Sequence, residues 1–291
     1  MIVNAGLRPL LDSDQAVLVP GVYDGLSALL AERTGFECAY ISGASIAYTR
    51  FGRPDIGLVS FAEVANVLSD IRERVSIPLI VDGDTGFGNA LNVMRTVRQF
   101  ERLGADAVQI EDQVMPKRCG HLSNKAVVPV GEMVGKIKAA TDARSSGRLL
   151  IIARTDALAI EGVDAAIERA FRYVEAGADV LFVEAPHSRA HLEAIAGQLK
   201  GNAPLVVNMV EGGRTPLCPP HILDALGFSL ILFPGSLVRA FAYLASDFLR
   251  SLREHGSTEP YRDYMVDFAE LNTILDTESL LAAGRRYETK D

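Results

Sequence analysis

The sequence predicts an α/β protein, a closed (β/α)8 TIM barrel, and three observations carry that prediction. Eight short apolar runs alternate with longer helical patterns along the chain, the order expected of a parallel sheet with helices on its outer side. Each run is continuous in Val, Ile, Leu or Phe rather than alternating, as strands buried on both faces require. Three stretches, RTGFECAYI, RLGADAVQI and EAGADVLFV, share one plan. A helix closes on Gly35, Gly104 or Gly177, a short turn follows, and a strand begins; glycine takes the left-handed turn at low cost. The 291-residue length suits a single barrel. The rival, a doubly wound open sheet, needs a G-x-G-x-x-G turn after its first strand, and VPGVYDGLSA has none.

Strands are expected at 16–21, 38–43, 78–84, 107–112, 149–156, 180–185, 204–209 and 229–235. Helices are expected at 25–35, 61–75, 92–104 and 163–177, with Ser60 suited to cap the second. The stretch 236–256 reads as the eighth helix, and two further helical patches, around 261–275 and 278–287, exceed what a barrel needs. The expected organisation is a catalytic barrel over 1–256 and a helical extension over 257–291 that packs on a neighbouring subunit, which points to an oligomer.

Lys and Arg number 29 against 37 Asp and Glu, for a net charge of −8. Without a basic run, this chain lacks the electrostatic footprint of a nucleic-acid or anionic-membrane partner. No apolar stretch reaches the ~20 residues of a membrane helix. The start, MIVNAGLRPLLDSDQ, has acids where a secretory signal has basic residues. Three widely spaced cysteines do not form a disulfide framework. The expected location is the reducing cytoplasm.

In this architecture the carboxyl ends of the strands form the active face. The residues there are Tyr23 and Asp24, then Tyr40, Ser42 and Gly43, then Asp82 and Asp84. Glu111 and Asp112, Arg154 and Asp156, Glu184 and Asn208 complete the set. So many acids cannot all be ionised together unless cations lie among them. Oxygen donors select hard metals, so Asp82, Asp84 and Glu111 point to Mg2+, with Mn2+ as the alternative, bound partly through water. In the loop after the fourth strand, Lys117, Arg118 and His121 surround Cys119, and Gly120 gives freedom to bend. Neighbouring cations stabilise a thiolate and keep it reactive. Lys117, Arg118, His121, Arg154 and Arg239 are candidates to bind the carboxylates of a small polyanionic substrate. Cys38 and Cys218 read as structural, and His187, His191, His221 and His255 as surface or packing residues.

With KRCGH, VDGDTGFGN before it and ARTDA after it, the chain resembles the isocitrate lyase/phosphoenolpyruvate mutase superfamily from residue 21 to about residue 239. Within it, the short bacterial 2-methylisocitrate lyases and 2,3-dimethylmalate lyases are the most alike. The resemblance implies a (β/α)8 barrel with a helix swapped between subunits, assembled as a homotetramer of paired dimers. It implies that Asp82 and Asp84 hold the metal, with Asp55 and Glu111 in or near its water shell. It places the 2-oxo acid half of a substrate on Ser42, Gly43 and Ala44. Gly120, Arg154, Glu184 and Asn208 would line the pocket, and Arg239 would bind a carboxylate. Mutases and phosphonopyruvate hydrolases of the superfamily lack the Cys-Gly-His element, so its presence points to carbon–carbon lyase chemistry. Cys119 would be the acid that protonates an enediolate, within a loop that closes over the substrate, and Tyr40 the candidate base.

Methylisocitrate lyases carry an Arg in a C-terminal segment like M-x-x-R-N-E-L, for the extra carboxylate of a tricarboxylate. The comparable stretch here, YMVDFAELNTI, has Phe268. The expected substrate is therefore a dicarboxylate, a substituted malate such as 2,3-dimethylmalate, ahead of 2-methylisocitrate. An oxaloacetate hydrolase or decarboxylase is the alternative, and phosphonate P–C chemistry a weaker one.

Overall fold

The computed structural model describes residues 6–288. The first five residues, part of the N-terminal stretch read above, and the last three of the 257–291 extension lie outside it. The eight expected strands form: β1 (Val17–Val22), β2 (Ala39–Ile41), β3 (Leu79–Asp82), β4 (Ala107–Glu111), β5 (Leu150–Thr155), β6 (Val180–Val183), β7 (Leu205–Asn208) and β8 (Leu230–Phe233). All pair in parallel, in sequence order, as a closed barrel. Closure comes from β1 on β8, with Val17 opposite Leu230 and Pro20 opposite Phe233.

Strand side chains alternate between faces, and this alternation builds two apolar layers. Facing inward are Val17, Val19, Cys38, Tyr40, Ile80, Ala107, Leu150, Ile152, Val180, Phe182, Val206, Leu230 and Leu232. The outward set, among them Ile41, Val81, Val108, Ile110, Ile151, Leu181 and Val207, packs against the helices. Leu7, which precedes a short helix, Arg8–Leu11, and Leu11, which ends it, join the inner layer. Arg8 pairs with Asp179, just before β6. That helix therefore closes the amino end of the barrel, a feature without a periodic signal in four residues.

The expected helices are present with ends shifted by a few residues: Gly25–Arg33, Phe61–Arg72, Ala90–Arg102 and Val163–Glu175. Gly35, Gly104 and Gly177 all lie at φ between 90° and 104°. Ser60 donates its N–H to Glu63 at 2.7 Å, fixing the start of the second of these helices. Asp24, expected on the active face, instead caps the Gly25–Arg33 helix by accepting from Ser27 N at 2.7 Å. Further helices, including Gly43–Phe51 and Val130–Ala143, complete the outer layer.

Two compact units are present, one through Val238 and one from Arg239 on. Beyond the remainder of the Ser236–His255 helix, the second contains a 3-10 turn (Glu259–Tyr264) and helices Phe268–Ile274 and Thr277–Arg285. Within it, Tyr261 stacks edge-on to Phe248 and bonds Asp247 at 3.2 Å. Among the described residues no helix is long and apolar enough to cross a membrane, and Cys38, Cys119 and Cys218 are all free thiols.

Candidate active site at the carboxyl end of the barrel

The inward-facing rows that are apolar through the barrel turn polar at its carboxyl end. Tyr40 leads to Ser42, Ile80 to Asp82, Gln109 to Glu111, Ile152 to Arg154, Phe182 to Glu184 and Val206 to Asn208, each two residues further on. All six of these polar residues are buried. The same alternation turns Asp112 outward, away from its expected place at the mouth. It accepts hydrogen bonds from Thr155 Oγ1 at 2.7 Å, Asp156 N at 2.9 Å and Tyr173 OH at 2.8 Å. Asp112 thus braces the end of β5 from the helix layer.

After β3 the chain makes a strained turn. Asp84 and Phe87 sit at φ 45° and 58°, in the left-handed region, beside Gly86 at 84°. Such strain persists where surroundings over-determine the turn. Here Phe87 packs edge-on against Phe61 and Phe100 at 5.9 and 6.4 Å, each aromatic pair contributing about 0.5–1.5 kcal/mol beyond its buried area. Buried Lys136 donates to Thr85 O at 3.2 Å. Neither anchor carries a sequence signal of its own; both lie in helix or loop positions that read as ordinary packing.

Asp82 stands against the amino end of the Gly43–Phe51 helix, accepting from Gly43 N at 3.2 Å and from Asp84 N at 3.2 Å. A helix amino end favours negative charge. A Cβ on residue 43 would lie 3.1 Å from Asp82 Oδ2, so glycine permits this close approach. Ser42 caps the helix by accepting from Ser45 N at 3.2 Å. Beneath Asp82, Tyr40 OH donates to Gln109 Oε1 at 3.0 Å, and Gln109 Nε2 reaches Asp82 Oδ1 at 3.5 Å. Burial, then the Asp82 charge, pushes the Tyr40 phenol well above its ordinary value. In this arrangement the phenol keeps its proton and supports Gln109 from below.

The loop between β4 and the Val130–Ala143 helix brings the KRCGH residues over this mouth. Lys117 Nζ lies 2.6 Å from Asp55 Oδ1 and 2.6 Å from Asp84 Oδ1. Cys119 donates its backbone N–H to Asp55 O at 3.1 Å. His121 accepts from Arg214 N at its Nδ1, 2.9 Å, and its Nε2 lies 3.4 Å from Glu184 Oε1. Burial holds the His121 ring below its ordinary pKa. The neutral ring, with Nδ1 accepting, carries its proton on Nε2, toward Glu184. Arg118 does not join the cluster; it is exposed and its guanidinium reaches Ser123 O at 3.5 Å.

Arg154 is buried at the centre. Its Nε and Nη2 bond Asp156 at 2.9 and 3.2 Å, its Nε lies 3.3 Å from Glu111, and its Nη2 lies 3.6 Å from Glu184. Asn208 Nδ2 holds both Glu184 oxygens at 3.2 and 3.3 Å. Burial raises the Glu111 carboxyl well above the ordinary range, with Arg154 opposing it. Arg239 is exposed and is the first residue of the second unit.

The thiol differs from expectation. Lys117 and His121 direct their charge or proton at carboxylates, and Arg118 faces out, so they do not stabilise a thiolate. Burial is the largest influence on Cys119 and raises its pKa, as do Asp55 and Glu184, although the His121 backbone N–H and Arg154 pull the other way. Cys119 is therefore a protonated thiol at neutral pH. Its alkylation by iodoacetamide, read by peptide mass mapping, is expected to be slow at neutral pH and to accelerate only above the usual thiol range near about 8.5. A rate already at its plateau at neutral pH would contradict this reading.

The donor set at the mouth fits a hard cation. Glu111 Oε1 is a buried oxygen without a hydrogen-bond partner, and Asp84 Oδ1 meets Lys117 Nζ at 2.6 Å. Six carboxylates, Asp55, Asp82, Asp84, Glu111, Asp156 and Glu184, share the mouth with the cations Lys117, Lys125 and Arg154. Among the described residues no three His, Cys, Asp or Glu side chains form a ready-made metal cage. Mg2+ needs none, because it binds through one or two carboxylates and keeps its waters. The hard oxygens and the excess negative charge fit such an ion.

A model of the family described as phosphoenolpyruvate phosphomutase matches residues 7–253. The chain is 40% identical over 289 residues to 2,3-dimethylmalate lyase of Eubacterium barkeri, covering 99% of each chain. It is 45% identical over 269 residues to 2-methylisocitrate lyase of Aeropyrum pernix, covering 92% of this chain and 86% of that one. Among solved structures, oxaloacetate acetylhydrolase in complex with 3,3-difluorooxalacetate superposes with a TM-score of 0.89 at 33% identity, over 98% of this chain and 97% of that one. Phosphonopyruvate hydrolase in complex with oxalate and Mg2+ superposes with a TM-score of 0.87 at 31% identity, covering 97% of each. The chain belongs to the PEP mutase/isocitrate lyase superfamily.

Proposed function

We propose that this chain is a magnesium-dependent carbon–carbon lyase that cleaves a substituted 2-hydroxy dicarboxylate into a 2-oxo acid and a carboxylate. The observation that carries the reading is the half-buried Cys119 held over a mouth of carboxylates, Arg154 and a helix amino end. Full-length similarity to 2,3-dimethylmalate lyase and 2-methylisocitrate lyase supports it.

Asp82 and Asp84 would hold the ion, with Asp55 and Glu111 near its water shell; when bound, it supplies a positive charge that polarises the α-oxygen of the substrate. Ser42, Gly43 and Ala44 present the amino end of a helix to the 2-oxo acid half. Arg154 and His121 Nε2–H face the fragment that takes up negative charge, with Glu184 and Asn208 keeping both in place. The hydroxyl proton leaves to a base at the mouth, for which Tyr40, bonded to Gln109 beneath Asp82, is the candidate. The C2–C3 electron pair passes into the departing carboxylate as an enediolate, and the Cys119 thiol delivers a proton to its carbon.

Phe268 begins a helix in the second unit and stands 85% exposed. An apolar ring where methylisocitrate lyases carry Arg favours a dicarboxylate. We therefore place 2,3-dimethylmalate ahead of 2-methylisocitrate, and Phe268→Arg is expected to shift the ratio of kcat/KM toward the tricarboxylate. The second unit also exposes Phe241, Tyr243, Leu244 and Leu249 on one helix. Apolar surface of this extent marks an interface. It supports contact with a second copy, and we extend this to the 257–291 extension packing on that copy, in a homotetramer of swapped dimers placed in the cytoplasm. Sedimentation velocity of the full chain would test this, a species of one chain's 31.4 kDa being the contrary result.

The deciding assay presents substituted malates, 2-methylisocitrate and oxaloacetate to the protein and measures 2-oxo acid release. Turnover of 2,3-dimethylmalate is expected with Mg2+, lost in EDTA and restored by Mg2+ or Mn2+. Oxalate and acetate formed from oxaloacetate, with no cleavage of any malate, would favour the second reading, which the likeness to oxaloacetate acetylhydrolase supports. No reaction with any of them would end both.

A further inference from the structure

The loop that carries Cys119 is pinned at its base by the pairing of Gln113 with Val127 and by Val128 N donating to Asp112 O at 2.8 Å. Its tip is held by Lys125, a cation of the mouth given no role so far. The Lys125 side chain is 1% exposed, and its Nζ lies 2.6 Å from Asp156 Oδ1, itself fully buried. The same ammonium donates to the carbonyl of Gly120, the residue after the thiol. Asp156 is fixed from three sides: by Lys125, by the Arg154 fork, and by its own N–H on Asp112. A continuous chain of contacts therefore runs from the end of β5 through Asp156 and Lys125 to the Cys119–Gly120 peptide.

We propose that Lys125 is a positioning residue, a latch that keeps the Cys119 loop closed and at the same time holds Asp156 in the geometry that aims Arg154 into the pocket. Its effect on turnover rests on the lyase reading; the latch itself does not. Lys117 also ties the loop down, but through Asp55 and Asp84, the carboxylates that would serve a cation. Lys125 bonds none of the proposed metal-holding residues, so its hold on the loop does not depend on metal. It belongs to the loop rather than to either apolar layer, so its loss releases the loop and leaves the barrel intact.

The test compares iodoacetamide labelling of Cys119 in the wild type, Lys125→Met and Lys125→Gln, resolved by peptide mass mapping. Cys38, which is fully buried in the inner layer, reports general unfolding. Lys125→Met is expected to raise Cys119 labelling about ten-fold by freeing the loop, with Cys38 still protected. Lys125→Gln, which keeps a donor, is expected to fall between. On the active dicarboxylate, kcat should fall by more than KM rises, because Lys125 aims groups rather than binding substrate. Unchanged Cys119 protection in Lys125→Met would overturn the latch. So would Cys38 and Cys119 becoming reactive together, or failure of both variants to fold, since either makes Lys125 a general structural residue. A wild type that cleaves no dicarboxylate would sink the lyase reading while the labelling comparison still decides the latch.

Discussion

Cys119→Ala is expected to lower kcat for dicarboxylate cleavage by about 10²–10⁴, the usual contribution of a placed general acid, with little change in KM or melting temperature. The thiol is half-buried in a loop and belongs to neither apolar layer, so its removal leaves no core cavity. Its environment is what makes it an acid. Burial and the Asp55 and Glu184 carboxylates favour the proton on sulfur, and a thiol kept protonated at neutral pH has a proton to give. Cys119→Ser preserves shape and hydrogen bonding but offers a poorer proton donor, so it should recover only a small part of the loss. Near wild-type turnover in either variant, measured as 2-oxo acid release under saturating Mg2+, would require another acid and remove the central step of the proposal.

The barrel was legible in the sequence because its signal is repeated eight times and rests on burial alone. Continuous apolar runs mark strands covered on both sides, and Gly35, Gly104 and Gly177 mark the helix ends between them. Much of the site followed from the same regularity: Asp82, Glu111, Arg154, Glu184 and Asn208 continue inward-facing rows, so placing the strands placed them. Asp112 departs from this regularity because successive strand residues alternate between faces. It neighbours Glu111 in sequence but points to the opposite face, where Tyr173 and Thr155 hold it. The loop escaped for a different reason. Between Gln113 and Val128 no period constrains direction, so adjacent cations look equivalent around Cys119. In space Lys117 turns to Asp55 and Asp84, Arg118 turns out, and the unremarked Lys125 turns in. The thiol's surroundings are illegible for the same cause, since sequence distance does not say which carboxylates the neighbouring cations face.

Gly120→Ala is expected to cost as much activity as losing a catalytic group while leaving a well-folded protein. A Cβ at residue 120 would lie 2.2 Å from Glu184 Oε1 and 2.5 Å from Arg154 Nη2. Neither neighbour is free to yield. Glu184 is held through both oxygens by Asn208, and Arg154 is locked in its fork on Asp156. The loop must therefore lift, carrying Cys119 and His121 with it. A displacement near 1 Å at a reacting group costs about 10²-fold in rate, and here both the proton donor and the His121 contact move together. No core side chain is disturbed, and replacing glycine removes freedom from the unfolded chain, worth about 0.4–1 kcal/mol where the new residue fits. With the loop open, melting temperature should hold or rise slightly while kcat/KM falls by 10²-fold or more and Cys119 labels faster. Activity within a few-fold of wild type would mean that the closed loop is not the working state. A large fall in melting temperature would mean instead that the 113–128 loop is part of the barrel's cooperative core.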